Sequence, residues 1–69
     1  MKAVIKGKNL LVYCSSWNEL DQFTKTNNIK CDFSGAFEWS GYSGVKTHDK
    51  EGKLVFWFKP EHLPELKFN

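Results

Sequence analysis

Apolar side chains recur along this chain in two rhythms, alternation by two where strands are expected and spacing by three or four where a helix is. The longest apolar run is Leu54-Val55-Phe56-Trp57-Phe58, closed by Lys53 and Lys59. Successive strand side chains point to opposite faces, so Leu54, Phe56 and Phe58 share one face and Val55 and Trp57 the other. Both faces need cover. The run therefore predicts an inner strand, with one face on a core and the other on something the chain does not fully supply.

Residues 2–6 alternate weakly, Gly7-Lys8-Asn9 carries turn chemistry, and Leu10–Cys14 is apolar on both faces, which predicts a hairpin whose second strand is interior. Ser16 and Glu19 match the S-x-x-E capping box, so a helix should run from Ser16 to about Asn27. Its stripe, Trp17, Leu20 and Phe23, is expected to lie on the sheet, and Asn27-Asn28 to end it in a left-handed conformation. Ile29, Cys31 and Phe33 then alternate with Lys30 and Asp32 as a half-buried strand.

Residues 34–44 hold three of the five glycines together with Phe37, Trp39 and Tyr42. They fit either a short strand at 36–39 or an ordered loop that carries aromatic side chains. Val45–His48 reads as a strand, and Asp49-Lys50-Glu51-Gly52 as a type I turn closed by a left-handed glycine. Pairing about that turn would set His48 opposite Lys53, Lys46 near Val55 and Gly44 near Trp57. Pro60 stops the sheet, and one helical turn should follow, with Leu63, Leu66 and Phe68 tucked on the core or on a neighbouring subunit. The expected fold is α+β: a twisted antiparallel sheet of four to five strands with one helix packed on one face, a single domain over residues 1–69.

Composition sharpens this picture. A chain of 69 residues lies near the lower limit for a fold held by one core without disulfides or metal, so a homodimer is among the expected assemblies. Six Phe, three Trp and two Tyr, each removing roughly 150–250 Å² from water when buried, leave ring surface to spare for an interface. All ten basic residues are lysine, against eight acids, for a formal net charge of +2. That balance is too even for a dedicated nucleic-acid binder, and without arginine there is no bidentate base readout, which argues against sequence-specific DNA binding. Lysine in place of arginine, with abundant Asn, Phe and Ile, fits an AT-rich genome such as that of a phage of a low-GC host. Cys14 and Cys31, no export signal and no membrane-length apolar stretch point to a cytoplasmic protein with reduced thiols and no membrane association.

The candidate binding set is Trp39, Tyr42, Trp57, Lys46, His48 and Lys53. Rings rimmed by lysines can stack on a base, worth roughly 1–3 kcal/mol each, but the same rings serve equally as core or as interface anchors. Pairing Cys14 or Cys31 with His48, or His48 with Asp49, is backed by no catalytic motif. The spacings 14–31 and 48–62 do not resemble the close ligand pairs of structural zinc sites, and neither metal nor cofactor is expected. The acidic residues Glu19, Asp21, Asp32 and Glu38 read as solvated faces. The expected function is a non-enzymatic binding module, a small accessory or inhibitory protein that occupies a partner protein's surface with Trp39, Tyr42 and Trp57 as anchors. The alternative is a nucleotide or small-molecule binder whose rings sandwich a base while Lys46 and Lys53 meet phosphate. A nonspecific single-stranded nucleic-acid binder is the third reading.

Overall fold

In the computed structural model, which describes residues 1–68, six antiparallel strands form one sheet with one α-helix on one of its faces. The elements are β1 (Lys2–Lys6), β2 (Asn9–Cys14), α1 (Trp17–Asn27), β3 (Lys30–Cys31), β4 (Ala36–Trp39), β5 (Tyr42–His48) and β6 (Leu54–Phe58), followed by a 3₁₀ segment, Pro60–Glu65. Across the sheet the order is β1-β2-β6-β5-β4-β3. The helix carries the chain from β2 to the far edge, and the strands then meander back until β6 closes against β2. The two strands that are apolar on both faces thus lie side by side in the interior, where both faces find neighbours.

Under the helix, Leu10, Val12 and Cys14 of β2 meet Leu54, Phe56 and Phe58 of β6, Phe37 and Trp39 of β4, and Leu20 and Phe23 of α1. Phe23 stands edge-on to Phe56, with ring centroids 5.4 Å apart, and Phe37 lies 5.3 and 5.0 Å from Phe56 and Phe58. Such aromatic pairs add about 0.5–1.5 kcal/mol beyond their buried area. Ser16 caps the helix by accepting from the Glu19 amide, Glu19 accepts from the Ser15 amide, and Asn28 ends the helix at φ 56°. The tail behaves as its pattern predicts: Leu66 is buried, Leu63 packs on the core, and Phe68 stacks on Phe23 at 5.8 Å.

The sixth strand comes from the glycine-rich segment, which forms β4 and extends β5 back to Tyr42. Ser40 and Gly41 join them in a two-residue turn at φ +48° and +83°, the doubly positive geometry that matches strand twist in a tight hairpin. The strand expected at 29–33 is cut to Lys30–Cys31 by Asp32. Its Oδ1 accepts from the Ser34 amide, the Ser34 hydroxyl and the Ala36 amide at 2.9, 2.6 and 3.1 Å, a local turn that outcompetes strand pairing. Phe33 consequently leaves the face of Ile29 and stands fully in solvent. Trp17 also departs from expectation, being 70% exposed. The buried stripe is Leu20, Phe23 and Asn27, and at 100° per residue Trp17 sits roughly 90° round the helix from its centre.

The turn before β6 has the expected left-handed Gly52, at φ +83°, but it is one residue shorter than predicted. The Asp49 amide donates to the Lys53 carbonyl at 2.9 Å, and Asp49 Oδ1 accepts from the Glu51 and Lys53 amides. Asp49 therefore faces Lys53, which sets His48 opposite Leu54, Lys46 opposite Phe56 and Val45 opposite Trp57. A one-residue shift moves every side chain to the other face. No described helix is long and apolar enough to cross a membrane.

Candidate functional site

One helix covers one sheet face, and what the other face presents follows from register. Directly paired residues share a face, so Val4, Leu11, Trp57, Val45 and Ala36 form one continuous row across five strands. Beside it runs Lys2, Tyr13, Val55 and Thr47. Leu11 and Val55 are only 5% and 3% exposed although no helix lies over them. Their larger neighbours, Tyr13 and Trp57, shelter them. Trp57 Nε1 donates to Thr47 Oγ1 at 2.9 Å. Thr47 stands opposite Val55 rather than Trp57, so this bond draws the indole diagonally over the sheet. Val45 remains 53% exposed. Lys2 and Lys6 border the apolar row on the edge strand, Lys30 and Glu38 face each other on the opposite side, and Lys53 Nζ lies 3.3 Å from Glu51 Oε2. The result is an aliphatic and aromatic surface covered by no helix, with a pinned tryptophan at its centre and lysines at one edge.

The six residues predicted as a single binding set fall into three places. Trp39 is 8% exposed and packs between Phe58 and His62, and Tyr42 is half-buried beside it, stacked on Phe58 with its hydroxyl donating to the Trp57 carbonyl at 3.2 Å. His62 joins these two rings, its Nδ1 accepting from the Lys59 amide. Trp57 faces the other way, on the same side as Lys53. Lys46 and His48 follow the register of Phe56 and Leu54 onto the helix side, where they line a cleft past the start of α1. Alternation marks Leu11 and Tyr13 as members of the second face of β2, so these partners of Trp57 were readable from sequence. Val45 and Thr47 required the closure of the turn.

The cleft beside α1, about 530 Å³, has Trp17, Cys31, Asp32, Phe33, Lys46 and His48 in its walls. Partial desolvation pushes the Cys31 thiol above its ordinary pKa, with Lys46 opposing and Asp32 adding to the shift. Cys14, sealed in the core, is raised to about 11, chiefly by burial and then by the Glu19 charge. Both cysteines are free. Each is held as the thiol at neutral pH, the weakly nucleophilic form. Among the described residues, no group of three or more His, Cys, Asp or Glu side chains is placed to hold a metal ion. No protein-family model, curated protein or solved structure matches this chain.

Proposed function

We propose that this protein is a non-enzymatic binding module, accessory or inhibitory in action, that lays its uncovered sheet face on a partner protein. The observation that carries this reading is the cross-strand row Val4, Leu11, Trp57 and Val45, apolar throughout and covered by no helix of its own chain, of which Val4, Trp57 and Val45 are left at least partly open to solvent. A small ligand needs an enclosing site, and no major cleft among the described residues is lined by both Trp57 and Val45, so the face suits a macromolecule better. Trp57 is already held by Thr47, so little rotamer freedom is lost on docking, and a Trp or Tyr of that kind is a typical interface anchor. Lys2 and Lys6 at the border call for carboxylates around the partner's apolar patch.

One observation favours a second reading. An indole drawn over the sheet offers its π-face to a stacked base, as in proteins that bind single strands. To test both, a photo-crosslinking residue is placed at position 45, with position 18 on the helix as control, and wild type is titrated with oligo(dT). The proposal expects a protein adduct from position 45 alone, and binding of that purified partner at least about tenfold weaker in Val45→Glu. No adduct, or oligo(dT) binding that quenches tryptophan and weakens steeply with salt, overturns it; the latter installs the single-strand reading.

A further inference from the structure

Two large rings at one end of the molecule are left without partners by the fold. Phe33 is more exposed than in an extended chain, at 111%, and Trp17 is 70% exposed. Neither takes part in any of the aromatic contacts among the described residues. Phe33 is not on a loose loop. Asp32 Oδ1 gathers three hydrogen bonds across the turn, the Asp32 amide donates to the Ala36 carbonyl, and the Lys46 amide donates to the Gly35 carbonyl at 2.6 Å. The turn thus holds a benzyl group outward, as a preformed knob.

Phe33 and Asp32 themselves stand at the wall of the cleft of about 530 Å³, which Trp17, Lys46, His48 and Leu54 also line. Its charges are of both signs and incompletely used. Lys46 and Asp32 of one chain are close enough for the lysine charge to favour the ionised carboxylate, yet Lys46 Nζ forms no ion pair among the described residues and Asp32 hydrogen-bonds through Oδ1 alone, leaving Oδ2 free to accept. A two-fold interface requires a self-complementary patch, in which residue i meets j and j meets i, and a projecting ring beside a cleft that carries both a cation and a carboxylate supplies the elements of one.

We infer that this end of the molecule is a homodimer interface in which Phe33 of each copy enters the other copy's cleft against Trp17, and Lys46 of each meets Asp32 of the other. The surface is distinct from the uncovered sheet face, so two copies could pair while both sheet faces stay open. Sedimentation equilibrium of the full chain as a function of concentration tests it. Wild type should be a dimer. Phe33→Ser, at a position with no intramolecular packing to lose, should weaken self-association about thirtyfold with an unchanged circular dichroism spectrum, and Lys46→Glu should weaken it in the same direction. Val45→Glu, on the other face, should leave the dimer intact. A wild-type monomer at every concentration overturns the inference. So does a dimer that survives Phe33→Ser but dissociates in Val45→Glu.

Discussion

Asn27 holds Lys67 as a strand would: its Nδ2 donates to the Lys67 carbonyl at 2.8 Å and its Oδ1 accepts from the Lys67 amide at 2.8 Å. Nδ2 also donates to the Phe23 carbonyl. This buried amide, on the helix stripe where an apolar residue is the usual occupant, fastens the C-terminal segment across the helix and sets Phe68 on Phe23. Asn27→Ala leaves the Lys67 backbone groups unpaired and should cost about 2 kcal/mol, seen as a transition midpoint lowered by roughly 10 °C. Hydrogen exchange at the Lys67 amide should accelerate by more than the global loss of stability explains.

Ser40 occupies a left-handed conformation, φ +48°, in the turn between Trp39 and Tyr42. Asparagine tolerates that geometry better than serine, and Asn-Gly is the preferred pair for such a turn. Ser40→Asn should therefore stabilise the fold by about 0.5 kcal/mol, whereas Gly41→Ala, at φ +83°, should destabilise it. Urea midpoints for the two variants should move in opposite directions.

Gly44 is demanded by packing. A Cβ built there would collide with the Phe37 ring and lie 2.8 Å from Tyr42 Cε2. Phe37 has no room to retreat, being wedged against Phe56 and Phe58. Gly44→Ala should cost about 1–3 kcal/mol by overpacking. The near-ultraviolet circular dichroism of the aromatic core should change with it.

Two carboxylates make the fold acid-sensitive. The Ser15 amide and then the N-terminal ammonium hold Glu19 below its ordinary 4.5, and the Ser34 hydroxyl and then the Ala36 amide hold Asp32 below its ordinary 3.8. The unfolded chain binds protons at these sites at a higher pH than the folded protein does, so stability is full above about pH 4.5 and falls as acid titrates the folded carboxylates. Glu19→Gln and Asp32→Asn should each be less stable at neutral pH and show a shallower acid limb in urea midpoints measured against pH.

Cys14 works in the other direction. Its thiol, ordinarily at 9.0, is raised to about 11, so the unfolded chain loses its proton first as the solution turns alkaline. Stability should be intact below pH 9 and decline above it, and Cys14→Ala should remove that part of the decline. At neutral pH a disulfide reagent should modify the buried Cys14 only as fast as the protein unfolds.

The sequence by itself determined most of the elements and much of the core. The Ser16 cap, the Asn27-Asn28 stop, the two-faced runs Leu10–Cys14 and Leu54–Phe58, and Gly52 are local signals, because caps, turns and alternation depend on residues a few positions apart. The tertiary structure alone decided which rings share a surface. Trp39 and Tyr42 entered the core while Trp57 faced outward, because Asp49 closed its turn on Lys53 and so set which residues pair across β5 and β6. Phe33 left its strand because Asp32 captured three neighbouring donors, and Trp17 stayed off the buried face because it sits roughly 90° round the helix from the Leu20, Phe23 and Asn27 stripe. Periodicity registers none of these choices: each is a competition between a local hydrogen bond and a distant packing partner, and only the assembled chain contains both.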